Sequence, residues 1–211
     1  MMSSGLFITV EGGEGTGKST LVNSLYTYIT EKKGRFVVKT FEPGSTVLGK
    51  EIRNILLHRK ELIISGKSEL FLFLADRAHH VEMLIKPALG ENLVVICDRF
   101  IDSSIAYQGA AREVSDLDEI EKICLFATGD LVPDITFFLD LDPKVGLARI
   151  KGEKDRLEKE VIDFHQRVRE GYQEIARKHN NRVHTLDASK APDQVFKDAV
   201  KILEEECTTL L

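Results

Sequence analysis

Eight consecutive residues, Gly12-Gly13-Glu14-Gly15-Thr16-Gly17-Lys18-Ser19, narrow the possible folds of this chain more than any other feature. They match G-x-x-x-x-G-K-[ST] at every fixed position. The apolar stretch Leu6–Val10 precedes them and a helix-like segment opens at Lys18, so the spacing predicts a strand-to-helix turn. Glycines permit backbone conformations closed to other residues and bring successive N–H groups inward. The helix that follows adds unpaired N–H groups and the positive end of its dipole. Such a turn cradles phosphate, with Lys18 reaching the β- and γ-phosphates and the Ser19 hydroxyl ligating Mg²⁺. The phosphates of a nucleotide are expected against residues 12–19 together with Thr20.

Apolar stretches of four to seven residues recur along the chain, separated by longer segments of helical periodicity. Five strands are predicted: Leu6–Val10, Phe36–Phe41, Leu93–Cys97, Ile135–Leu139 and Arg182–Leu186. The intervening helices are predicted at Lys18–Lys32, Leu48–Leu57, Ser65–Leu89, Ser115–Thr128, Pro143–Ile150, Glu158–His179 and Ala191–Glu205. Alternation of this kind argues for an open parallel α/β sheet with helices on both faces, a three-layer α/β/α arrangement. No repeat or Pro/Gly/Ser-rich linker divides the 211 residues, which are expected to form one domain. The charged segment Arg149–Arg156, broken by Gly152, interrupts the rhythm between two helical patterns.

Charge and composition exclude several classes. Twenty-nine Lys and Arg against 34 Asp and Glu leave a net charge of −5, whereas bulk affinity for nucleic acid shows as a basic face. Anionic ligands must therefore be held by local cations. The longest apolar run, Leu70–Ala75, is far short of the roughly 20 residues of a membrane span. Met1-Met2-Ser3-Ser4-Gly5 has no basic region, so no secretory or organellar address is read there. Cys97, Cys124 and Cys207 lack metal-ligand spacing and are expected to be reduced and buried, as in a cytoplasmic protein. His79 and His80 are adjacent and face different sides of a helix, so little is expected of them.

The phosphate loop alone says only nucleotide. A GTPase switch needs N-K-x-D and D-x-x-G segments, and neither is present. Glu14 is informative because a carboxylate beside phosphate is unfavourable unless it turns toward something that needs an acceptor, such as a sugar hydroxyl. A second substrate beside the loop is thus expected. Arginines gather where a doubly wound sheet binds its ligands, outside the carboxyl ends of the strands. Asp98-Arg99 leaves the third strand and Glu42-Pro43-Gly44 the second, with Arg53 and Arg77 on the helices after it. Planar guanidinium forks suit phosphate. Guanylate, cytidylate and deoxynucleoside kinases, and a partition-type ATPase, remain the alternatives on these residues alone.

The ordered set of Gly12–Ser19 with an internal Glu14, Glu42-Pro43-Gly44-x-Thr46, Phe73-x-x-x-Arg77, Asp98-Arg99-Phe100 and Ser103-x-x-Ala106-Tyr107-Gln108-Gly109 resembles bacterial thymidylate kinase, over about residues 6–205. The resemblance implies a P-loop kinase fold with a short lid near 149–158, phosphoryl transfer from MgATP to dTMP, and a homodimer. It also implies roles. Phe73 stacks on thymine, Arg77 donates to its O4, and Ser104 and Gln108 approach the base. Tyr107 crowds the position of a 2′-hydroxyl, and Glu14 accepts from the 3′-hydroxyl. Arg53 and Arg99 hold the acceptor phosphate beside Glu42 and Pro43, and Asp98 lies near Mg²⁺. In the lid, Arg149, Lys151 and Arg156 are the candidates to meet the donor phosphates. A cis peptide before Pro43 is implied as well. Three positions depart from the family pattern: Phe41 stands where many members carry Arg, Ser45 replaces a glycine, and Lys151 precedes Gly152 where an arginine is expected.

Overall fold

The structure, a computed structural model, describes residues 5–59, 61–153 and 155–207. The N-terminal address reading on Met1–Ser4 lies outside the described residues. Five strands rich in β-branched and aromatic residues form the sheet: β1 (Leu6–Glu11), β2 (Val37–Phe41), β3 (Val94–Asp98), β4 (Ile135–Asp140) and β5 (Val183–Asp187). All pairings are parallel and the order is β2-β3-β1-β4-β5. Alternate side chains enter separate cores. Phe7, Val95, Cys97 and Phe138 pack on one face, while Leu6, Ile8, Val10, Ile96 and Phe137 pack on the other. A sheet buried on both sides explains why the strand sequences read as continuous apolar runs.

Helix α1 (Lys18–Lys32) has the predicted bounds. Helix α2 (Val47–Arg53) continues as a wide turn over Asn54–His58, and α3 (Gly66–His80) runs through a second wide turn, Val81–Ile85, into α4 (Lys86–Gly90). The remaining helices are α5 (Ile101–Ser104), extended by a widened helix over Ile105–Ala111, then α6 (Leu117–Thr128), α7 (Pro143–Arg149), α8 (Ile162–Lys178) and α9 (Pro192–Glu206). No described helix is long and apolar enough to cross a membrane. The three cysteines are free and buried.

Two segments differ from the sequence expectation. Residues 101–111, assigned to no element from the sequence, are helical. Ser, Gly and β-branched Ile give this stretch weak intrinsic propensity, so burial decides its conformation. It packs so tightly on α8 that a Cβ at Gly171 would stand 2.6 Å from the Ala110 Cβ. Conversely, α8 begins at Ile162 rather than Glu158, because residues 157–160 turn across the mouth of a cavity described below.

Candidate active site

The loop after β1 is built by conformations that favour glycine: φ is 141° at Gly12, 67° at Gly15 and 95° at Gly17. A Cβ at Gly15 would also collide with the carbonyl oxygen of Gly146 at 2.0 Å, so two glycines let α7 buttress the loop. Lys18 spans the loop from inside, its Nζ donating to the carbonyls of Gly12 (3.1 Å) and Gly13 (2.7 Å). Burial lowers its pKa from the usual lysine range, partly offset by Glu14 and Asp98. The Ser19 hydroxyl donates to Asp98 Oδ2 at 2.9 Å. A hydroxyl and a carboxylate so placed, among phosphate-binding groups, are the hard oxygen ligands that suit Mg²⁺.

Two cavities flank the loop. One, of about 570 Å³, is lined by residues 14–20 with Lys39, Glu42, Arg53, Asp98 and Arg99. The other, of about 390 Å³, lies against Gly15–Gly17, Thr20, Leu139, Arg149, Ala188 and Pro192.

Arg99 stands between the loop and a third cavity. Its φ of 71° puts a non-glycine residue in the left-handed region, a conformation that costs about 1–3 kcal/mol and concentrates at functional sites. The side chain is fixed on several sides: Nη1 donates to the Gly12 carbonyl (3.0 Å) and Ser103 Oγ (3.3 Å), and Nη2 to Glu14 Oε1 (2.7 Å). The Tyr107 hydroxyl donates to the same carboxylate oxygen at 2.6 Å, and its ring lies 5.1 Å from the guanidinium. Burial alone would raise the Glu14 pKa. Arg99, Lys18 and the Tyr107 hydroxyl overcome that and hold it at about 2. Glu14 therefore stays charged, and it contributes to the walls of both the loop cavity and the cavity beyond it.

The third cavity, of about 180 Å³, is lined by Glu14, Glu42, Pro43, Arg53, Phe73, Arg99, Ser104, Tyr107 and Gln108, joined by Asp155, Leu157 and Glu158. Nine of the ten residues expected on the acceptor side thus converge from five separate parts of the chain. Arg77 is the exception. Its guanidinium is 1% exposed and lies outside the lining, donating to Glu42 Oε2 (2.8 Å), Ser104 Oγ (2.9 Å) and the Phe100 carbonyl (2.8 Å). These partners place it directly behind Glu42 and Ser104, two residues of the cavity wall. His80, of which little was expected, completes this support. One ring nitrogen is 2.9 Å from Glu42 Oε1 and the other 2.7 Å from Thr40 Oγ1.

The Glu42–Pro43 peptide is cis, as the resemblance implied. The Phe41 ring faces the Arg53 guanidinium at 5.6 Å, and Arg53 Nη1 donates to the Pro43 carbonyl at 2.8 Å. Ser45 closes the corner, its Oγ accepting from the Phe41 N–H (2.9 Å) and donating to the Phe41 carbonyl (2.6 Å).

The lid cations are not brought together. Arg149 ends α7, donates to the Ala188 carbonyl at 3.3 Å and lines the 390 Å³ cavity. Lys151 is exposed. Arg156, expected on the donor, is turned the opposite way, with Nε donating to the Leu56 carbonyl (2.7 Å) and Nη2 to Glu69 Oε2 (2.5 Å). The buried Glu69 carboxylate captures it, so the expected donor contact gives way to a place beside the acceptor cavity.

Several supporting residues escaped sequence reasoning. Glu11 is the one charged residue of β1, at 0% exposure, and accepts from the Phe100 N–H (2.6 Å), Ser103 Oγ (2.6 Å) and the Tyr172 hydroxyl (2.9 Å). Burial and the nearby Asp102 push its pKa up. A lone carboxylate at the end of a buried strand was the available signal; Tyr172, more than 160 residues away, offered none.

Asp76 Oδ1 accepts from the Gly44 N–H at 3.1 Å, and burial together with Glu42 pushes its carboxyl up to about 6. An acid whose folded pKa exceeds its unfolded value holds extra protons in the folded state between about pH 4 and 6, so its stabilising contribution falls as pH rises through that window. Asp76→Asn keeps the acceptor and removes the charge. Its stability to urea relative to wild type is expected to improve by ~1–2 kcal/mol between about pH 4.5 and 7.5; a difference independent of pH would contradict this.

A parallel sheet whose first strand feeds a phosphate loop, with an arginine and a carboxylate dividing that loop from a second ligand cavity, defines a P-loop nucleotide kinase. The thymidylate kinase family model matches residues 10–199. A thymidylate kinase of Protochlamydia amoebophila is 44% identical over 212 residues, covering 96% of this chain and 93% of that protein. One from Bacillus velezensis is 42% identical over 206 residues, covering 96% of each. The crystal structure of thymidylate kinase from Ehrlichia chaffeensis matches with a TM-score of 0.79 at 36% identity, covering 95% of this chain and 99% of that one. This chain belongs to the thymidylate kinase family.

Proposed function

We propose that this protein transfers the γ-phosphoryl group of ATP to the 5′-phosphate of dTMP, giving dTDP. The observation that carries the reading is the Arg99–Glu14–Tyr107 cluster, which stands between the phosphate-loop cavity and the acceptor cavity and contributes to both. ATP phosphates lie in the loop against Lys18, and the adenosine extends into the 390 Å³ cavity, where Arg149 flanks it. Ser19 and Asp98 hold Mg²⁺, which supplies charge neutralisation to the donor phosphates.

On the acceptor side, Phe73 provides an aromatic face for thymine, with Ser104 and Gln108 at its edge. Tyr107 fills the space beside the sugar, and the second carboxylate oxygen of Glu14 accepts from the 3′-hydroxyl. Arg53 and Arg99 hold the phosphate. That phosphate is already an anion, its second pKa being about 6, so no strong base is needed. Alignment and cations placed where charge spreads account for the rate. Lys18 and Arg99 supply that charge from opposite sides.

Arg156 belongs to the acceptor half in this reading and Arg149 to the donor half. Arg149→Ala is therefore expected to raise KM for ATP about tenfold, the loss of ~1.4 kcal/mol, with KM for dTMP within about threefold. Arg156→Ala should do the reverse. Steady-state constants that shift for the same substrate in both variants would refute the division. Lys151→Ala should lower turnover without altering dTMP binding, provided the exposed segment closes over ATP as a lid; a wild-type rate removes that role.

We place the protein in the cytoplasm as a homodimer. Three buried thiols support the former; the family likeness, with Phe71 and Phe126 left exposed on helices, supports the latter. ATP with dTMP, dUMP, dGMP, dCMP and ribothymidine monophosphate, assayed side by side, tests the function. Production of dTDP from dTMP well above every other product is expected, and absence of any diphosphate overturns the reading.

A further inference from the structure

The acceptor cavity contains a device for choosing between pyrimidines that depends on a residue outside its lining. Gln108 touches the cavity with an amide whose two ends differ: one donates, the other accepts. Nothing in the amide itself decides which end faces a base. Glu69, on α3, decides it. This carboxylate is 1% exposed, and Gln108 Nε2 donates to its Oε1 at 2.9 Å. A carboxylate that already receives arginine donors offers only acceptor oxygens, so a flipped amide would set oxygen against oxygen in a buried place.

Two arginines hold the Glu69 carboxylate in place. Arg156 Nη2 donates to Oε2 at 2.5 Å. Arg112 lies 3.4 Å from each oxygen and is itself held by Glu160 at 2.6 Å. We infer that Glu69 is a positioning residue for base selection: by fixing the Gln108 amide, it presents the carbonyl oxygen to the cavity as an acceptor for the N3–H of a thymine or uracil ring. Cytosine, whose N3 is itself an acceptor, meets that oxygen unfavourably. A site built to pair with one donor rejects an analogue that lacks it far more strongly than an apolar pocket can. The inference deepens the proposed function and rests on the acceptor being a pyrimidine monophosphate.

Glu69→Gln is nearly isosteric and lets the amide turn either way. It is expected to lower kcat/KM for dTMP and dUMP together by at least tenfold, while the inhibition constant of dCMP against dTMP stays within threefold or tightens. KM for ATP should not follow. A merely structural role would weaken all three pyrimidine nucleotides by one common factor, and that outcome overturns the inference, as does an unchanged dTMP constant. Combining the change with Gln108→Ala adds a second check: with the amide gone, Glu69→Gln should lower dTMP selectivity no further, and a further loss means Glu69 does not act through Gln108. Should Glu69→Gln fail to fold, Glu69→Asp keeps the charge but withdraws it by one methylene; dTMP should lose at least threefold relative to dCMP, and an unaltered ratio overturns the inference. Wild-type enzyme inactive on dTMP would instead defeat the proposed function itself.

Discussion

Replacing Lys18 with alanine is expected to lower turnover by about three orders of magnitude while leaving dTMP affinity within about threefold. A preorganised cation facing charge that develops during transfer contributes roughly 3–4 kcal/mol, and about 1.4 kcal/mol corresponds to a tenfold rate. Lys18 donates to the carbonyls of Gly12 and Gly13, so the loop positions it where phosphates enter. Its burial keeps the lysine dehydrated, which strengthens its field on a bound phosphate. The acceptor cavity contains no Lys18 atom in its lining, hence the expected separation of effects. Steady-state turnover and calorimetric titration with dTMP check it; dTMP binding that collapses with turnover would contradict the assignment.

Arg99→Ala should instead damage binding and turnover together, with kcat/KM for dTMP falling by about a thousandfold, or ~4 kcal/mol. Arg99 contributes to the linings of both cavities and carries a fork committed to Gly12, Ser103 and Glu14. Its loss removes a phosphate ligand and also the largest influence holding the Glu14 pKa down against burial. The Glu14 pKa should therefore rise above about 2, and the variant should show activity that increases with pH over a range where wild type is flat. Arg99→Lys is expected to recover less than a tenth of the loss, because one ammonium point charge cannot reproduce three directed contacts. Unchanged constants in Arg99→Ala would remove the residue from the mechanism.

Both predictions concern residues visible in the sequence, and the reason is local. Lys18 belongs to a motif whose spacing is dictated by one turn of backbone around a phosphate, and Arg99 follows a buried strand directly, so chain geometry alone delivers it to the ligand crevice. The same holds for Glu42 and Pro43 at the end of β2. Phe73 is different. Its apolar neighbours Leu70-Phe71-Leu72 and Leu74 make it indistinguishable from core by pattern, and only the family likeness singled it out before the cavity lining did.

What failed to be legible was pairing between distant charges. Arg77 and Arg156 are cations in suitable places by sequence, yet each is captured by a buried carboxylate, Glu42 and Glu69 respectively. A charge withdrawn from water binds the partner that compensates its desolvation, and which partner lies within reach depends on helix packing. Likewise the 101–111 helix exists because α8 covers it, against its own weak propensity.

By itself the sequence determined the parallel α/β class, the phosphate loop and the strand-end residues that reach the ligand crevice, because two-residue and 3.6-residue periodicities and the glycine spacing are short-range properties of the backbone. Only the tertiary structure decided which arginines line the cavities and which stand behind their walls, and in which direction the segment after α7 turns. Those outcomes depend on electrostatic partners brought together from residues tens of positions, and up to 100, apart, where the low polarity of the interior makes each pairing strong and sequence distance carries no information about it.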